Sequence, residues 1–234
     1  MLILAIDSTA VSGSVAICRD ATPIAAFHIK NGNTHSETLL PMVEAALNAT
    51  SLTVDDIDLF AVNKGPGSFT GVRIGVSTVK GLAFGKSKPC IGVSTLESLA
   101  ENLLPCPDGT LLVPVMNARR AQVYNALFRV ENGEAVRLTP DRAIAVTELE
   151  AELAELGLPF LLVGDGIDEA RKGFKTLTPM PCSPLLSDQN AVSVAKCAYR
   201  RYVAGESERD AELAPLYLRL PQAERERLER LSKS

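Results

Sequence analysis

The chain contains two histidines, His28 and His35. They are not paired at helical spacing, so the sequence gives no support to an imidazole-bound zinc or iron. Cysteine is also sparse. Cys18, Cys90, Cys106, Cys182 and Cys197 are odd in number, widely scattered and lack a Cys-x-x-Cys pair. That speaks against a disulfide framework or a thiolate zinc site, and for buried free thiols in a reducing cytosol. Positive charge is not in excess, with 24 basic residues against 28 acidic ones and a formal charge of -4. The chain as a whole therefore has no electrostatic drive toward nucleic acid. No apolar run is long enough to span a bilayer. The opening "MLILAID" has no basic residues before it, and Asp7 interrupts it too early for a signal peptide. A nucleophile elbow for Ser-His-Asp chemistry is missing as well. The expectation is a soluble, cytoplasmic protein with no membrane partner.

What is present is ordinary globular material, 46% hydrophobic and 22% charged over 234 residues, enough for one large domain or two small ones. Leu2–Ile6, Ser14–Cys18 and Ile24–Ile29 read as a β-meander. Thr34 and Glu37 have capping-box spacing ahead of Leu40, Val43 and Leu47, which recur at helical intervals. A strand is expected over Leu59–Val62, then a helix over Thr70–Gly85 with Gly71, Gly75 and Gly81 near one side, open to close packing against a neighbour. Pro89–Val93 reads as a strand and Thr95–Leu104 as a helix. "LPCPDG", Leu104–Gly109, is the linker candidate. Beyond it, strands are expected over Leu111–Asn117, Gln122–Val130 and Phe160–Val163, and helices over Thr147–Leu156 and Asn190–Tyr202. Asn132-Gly133 marks a reversal.

Three stretches could carry chemistry. Asp7, Ser8 and Thr9 end the first strand, where a carboxylate and hydroxyls either hold a metal-phosphate group or build an ordinary turn. Gly65, Gly67 and Gly71 give Gly-x-Gly-x-x-x-Gly, one residue too long for the dinucleotide fingerprint. Such glycines either let amide groups converge on an anion at a helix N-terminus or supply unusual dihedrals in a tight turn. Gly81 to Ser87 imitates a Walker A loop, but it closes a helix instead of opening one, so it reads as a C-terminal cap. Arg119-Arg120, Arg200-Arg201 and the tail arginines read as solvated surface.

Together the residues resemble a known family. Asp7-Ser8-Thr9, His35-Ser36-Glu37 with Leu39-Leu40-Pro41, and Gly65-Pro66-Gly67-Ser68-Phe69-Thr70-Gly71 through Arg73-Ile74-Gly75 recur in that order. Asn117-Ala118-Arg119-Arg120 with Val123-Tyr124, Gly164-Asp165-Gly166 and Pro215-Leu216-Tyr217-Leu218-Arg219 complete the series. This is similar to the TsaB family of bacterial tRNA threonylcarbamoyladenosine biosynthesis proteins, which belongs to the glycoprotease-like group. Lys64 stands where that family usually has arginine, and Asn117 where it favours aspartate.

The resemblance implies an α/β fold of two ribonuclease-H-like lobes, of the actin/Hsp70/sugar-kinase (ASKHA) superfamily. Residues 1–105 would form the first lobe, 106–220 a smaller second lobe, and 221–234 a charged helix or tail. It also implies a catalytic paralogue, TsaD, whose metal ligands align with Thr95 and Leu99 here; leucine cannot ligate a metal. The expectation is a pseudo-enzyme with no catalytic residue and no metal. Asp7, Ser8, Thr9, Gly65, Gly67, Ser68 and Gly71 would be a vestigial phosphate site, with no cofactor beyond weak ATP or ADP binding at an interface with TsaD. His35, Glu37, Leu39, Phe69, Thr70, Arg73, Ile74 and Val76 would form a face for TsaD or for a second copy of the chain. The ATPase TsaE would join, and tRNA would be met indirectly. Two alternatives stay open: a self-sufficient ATP-dependent enzyme of the same fold, and a homodimeric scaffold.

Overall fold

The computed structural model describes residues 1–219; the expected charged tail, 221–234, lies outside them. Strands β1 (Leu2–Asp7), β2 (Gly13–Arg19) and β3 (Thr22–Ile29) form the expected antiparallel meander. β4 (Leu59–Asn63) and β5 (Cys90–Val93) then add in parallel beside β1, giving the order β3-β2-β1-β4-β5. The central strands read as unbroken apolar runs because helices cover both faces. Leu4, Ile6, Phe60 and Val62 face helices α1 (His35–Thr50) and α2 (Phe69–Ala83). Ile3, Ala5, Leu59 and Ala61 face helix α6 (Ala191–Val203).

The second sheet centres on β6 (Leu111–Asn117), which pairs with β7 (Gln122–Asn125) and β8 (Phe128–Glu131) in succession and with β11 (Phe160–Val163) in parallel. β9 (Glu134–Arg137) and β10 (Arg142–Ala145) flank it. One strand was expected over Gln122–Val130, and two form. Pro114 lies in β6 and has no N–H for the ladder; the Asn125 side-chain amide instead donates to the Pro114 carbonyl at 3.0 Å and the Ala126 carbonyl at 3.1 Å. Helices α4 (Val146–Leu156) and α5 (Ile167–Gly173) cover one face of this sheet.

Helix α3 (Thr95–Glu101) covers the other face through Leu96, Leu99 and Ala100. It also packs on α6, so α3 and α6 form a layer between the two sheets. Glu101, buried there, pairs with Arg200 at 2.8 Å and Lys196 at 3.7 Å. The chain therefore returns to the first sheet after building the second, although Asn190–Tyr202 was expected within the second lobe. Its last described stretch is a strap over the first lobe. Glu208 bridges Cys90, Leu213 is buried in the α1/α2 core, and the Leu216 amide donates to the Lys64 carbonyl at 2.6 Å.

Candidate functional site

β1, β4 and β6 all run toward a cleft between the lobes, about 440 Å³ in volume. Its walls bring together Thr9, Gly67, Ser68, Phe69 and Thr70 from the first lobe, and Asn117, Arg119, Tyr124 and Asp165 from the second. The strap closes one side with Tyr217 and Arg219. The Phe69 and Tyr217 rings stack with centroids 4.6 Å apart. Arg219 donates to the Ala118 carbonyl at 2.7 Å, which fastens the strap to the second lobe. The sequence had signalled the strap only as the quoted Pro215–Arg219 motif, with no role attached.

Asp7 reaches the end of β1 but does not face the cleft. Its side chain is wholly buried and accepts bonds from the Thr9 amide at 3.1 Å, the Thr9 hydroxyl at 3.0 Å and the Asn63 amide at 2.5 Å. Burial pushes its carboxyl above the ordinary value, against the pull of those donors. Asn63 also donates to Ser98 at 2.8 Å, which extends the polar cluster to α3.

The glycine loop is folded onto the same turn. The Ser68 amide donates to the Thr9 carbonyl at 2.7 Å, and the Ser68 hydroxyl caps α2 by accepting from Gly71 at 3.4 Å. A Cβ on Gly67 would strike the Thr9 carbonyl, and one on Gly71 would strike the Ser8 carbonyl. Gly75 sits as tightly against the Ser8 hydroxyl, while Gly65, at φ 115°, lies against the Leu216 carbonyl. Gly71 and Gly75 are thus consumed by packing inside the chain, and the neighbour they were expected to meet is the Asp7–Thr9 turn. Gly81 alone of the three has open space around it.

The expected partner face divides. Leu39 and Val76 are buried in the core between α1, α2 and the sheet, so they are not surface residues. The helical phase instead exposes Leu40, whose side of α1 also carries Glu37, Pro41 and Glu44. On α2 the exposed positions are Thr70, Arg73, Ser77 and Gly81, with Ile74 half-buried against the core. Phe69 lies at the cleft mouth. His35 donates to the Ala10 carbonyl at 2.7 Å and packs over Gly13, and Glu37 accepts the Thr34 amide at 3.2 Å as the α1 cap.

Thr95 and Leu99 are both fully buried. Leu99 packs among Leu96, Leu112 and Met116, and the Thr95 hydroxyl has no hydrogen-bond partner among the described residues. One hydroxyl in an apolar setting does not fit a transition-metal site. Glu97, the acidic residue between them, lies 3.9 Å from Arg201, and burial raises its carboxyl. Among the described residues, no three His, Cys, Asp or Glu side chains converge on one point. No helix there is long and apolar enough to cross a membrane.

Residues 30–224 match the family model of TsaD, tRNA N6-adenosine threonylcarbamoyltransferase. The Bacillus subtilis tRNA threonylcarbamoyladenosine biosynthesis protein TsaB is 38% identical over 70% of this chain and 71% of its own length. The Escherichia coli protein of the same name is 41% identical over 57% of this chain, and the match spans only 58% of that relative. Two solved Pseudomonas aeruginosa structures share the fold at 24% identity: YeaZ, with a TM-score of 0.81, and an uncharacterised protein similar to peptidase YeaZ, with 0.80. Each match covers 93% of this chain and 99% of the other.

Proposed function

Because the chain belongs to the TsaB family of tRNA threonylcarbamoyladenosine biosynthesis proteins, we propose that it serves that modification as a non-catalytic subunit. Its partner is TsaD, which transfers the threonylcarbamoyl group to the adenosine next to the anticodon of ANN-decoding tRNAs. TsaE, an ATPase, joins the assembly, and alone the chain pairs with a second copy of itself.

The observation that carries this reading is the closure of the glycine loop upon the Asp7 turn. A phosphate cradle needs amides aimed at the ligand and a carboxylate or its metal at the cleft surface. Here the Ser68 amide is spent on Thr9, and Asp7 is buried behind Thr9 and Asn63. The geometry that once served a phosphate now fixes the angle of α2 against β1 and β4. Any ATP or ADP is then held weakly, at the interface with TsaD.

α1 and α2 lie side by side over the sheet and display Glu37, Leu40, Thr70, Arg73 and Ser77 outward. Small residues at 70, 77 and 81 let another helix approach closely, and Leu40, 55% exposed, supplies an apolar anchor. The test is light scattering on a sizing column, with the chain alone and mixed with TsaD of the same organism. A dimer-mass species that converts to a mixed complex is expected, and Leu40→Asp should abolish both. Proteins that elute unchanged at micromolar concentration would overturn the reading.

A further inference from the structure

We propose that the mouth of the interlobe cleft binds unpaired nucleotides of an RNA strand, an inference that rests on the tRNA-modification role proposed above. Single strands are held by aromatic faces on which bases stack and by cations that follow the phosphates. Both are concentrated here. Phe69 and Tyr217 already form a stacked pair, and Tyr217 keeps 39% of its surface exposed, so a base can continue the stack. The Arg73 guanidinium lies 5.0 Å from the Phe69 ring centre on one lip. On the other lip Arg219 stands 5.7 Å from the Tyr124 ring centre.

Beside Tyr124, the hairpin between β6 and β7 carries Arg119 and Arg120 at its tip. Arg119, Arg120 and Ala121 hold left-handed backbone in succession, at φ 61°, 56° and 53°. Non-glycine residues adopt that region at a cost, and such strain persists where surrounding structure fixes it. Both arginines are exposed, and Arg119 lines the cleft.

Arg119 and Arg219 line the opening, Arg73 stands against its Phe69 wall, and Arg120 follows Arg119 on the hairpin, in a chain of formal charge -4. Among the residues lining the cleft, Asp165 is the single carboxylate. It accepts the Asn117 amide at 3.3 Å, and burial raises its carboxyl above the ordinary value. Aromatic rings beside guanidinium groups suit bases and phosphates.

The test is fluorescence anisotropy of the full chain with a labelled oligouridine of about twelve nucleotides, within the span of such channels. Salt is varied from about 50 to about 200 mM. Micromolar binding is expected, with the slope of log affinity on log salt shallower by about 0.7 in Arg120→Ala, one phosphate contact on a single strand. Tyr217→Leu should weaken binding about tenfold or more, the loss of one stacked base. Arg19→Ala, at the far end of β2, should change nothing. No binding at about 100 µM chain in low salt, where even non-specific binders hold nucleic acid, would overturn the proposal. So would equal affinity in wild type, Arg120→Ala and Tyr217→Leu, or displacement by uridine monophosphate as effective as by the strand. The wild-type chain is also run with TsaD on the sizing column. Intact association without RNA binding sinks this inference alone, while RNA binding without association sinks the subunit reading alone.

Discussion

Asp7 is where a catalytic and a structural reading of the cleft diverge most sharply. Asp7→Ala would leave the Thr9 amide and the Asn63 side-chain amide without an acceptor in a buried site. At about 1–3 kcal/mol for each of the two stranded donors, the loss should be about 2–6 kcal/mol near pH 4. The pH dependence has a definite sign. Burial raises the folded carboxyl above its ordinary 3.8, so the native chain holds the proton more tightly than the unfolded chain. The stabilising contribution is therefore complete below 3.8 and is lost as the pH climbs through the folded value. The Ala penalty should shrink toward neutral pH. Asp7→Asn, which keeps an acceptor for Thr9 and can donate to Asn63 Oδ1 after an amide flip that gives up the Asn63 bond to Ser98, should stay within about 2 kcal/mol of wild type at pH 7. Urea melts of the three proteins between pH 4 and pH 8 measure this. An Asn variant weaker by more than about 2 kcal/mol at pH 7, a large single-site effect, would refute the reasoning, since the ionised carboxylate would then be favourably held. So would an Ala penalty that grows with pH.

Other consequences are simpler to read. Gly71→Ala drives a methyl into the Ser8 carbonyl; with backbone on both sides, the cost should be about 2–4 kcal/mol in a thermal or urea melt. Asn125→Ala strands the Pro114 carbonyl and should destabilise by about 1–3 kcal/mol. Leu40→Asp should leave the melting temperature within about 2 °C of wild type, because exposed positions carry little stability, while association with TsaD is lost.

Much of the fold was legible because burial on both faces of the first sheet leaves nearly pure apolar strands such as "LILAI" and "LFAV". Thr34 and Glu37 likewise marked the start of α1. The break between β7 and β8 needed knowledge of which strand faces Pro114, a contact distant in sequence. α5 spans only seven residues, and its acidic first turn and basic last turn, Asp168-Glu169 and Arg171-Lys172, went unread for want of length. The destination of α6 depended on a return across the chain that local pattern does not encode. At the site, the glycine motif correctly marked a close approach, but not what approached: Ser8, Thr9 and Leu216. Leu39 and Leu40 are adjacent and chemically alike, and only the helical phase set by the sheet decides which one is buried.

The most direct measurement is threonylcarbamoyladenosine formed on tRNA by TsaD and TsaE as this chain, wild type or Asp7→Asn, is titrated in. A stoichiometric subunit should raise the product until it matches TsaD in amount and then plateau, with both proteins tracing one curve. Saturation at a small fraction of TsaD, or loss of activity in the folded Asn variant, would contradict a non-catalytic role.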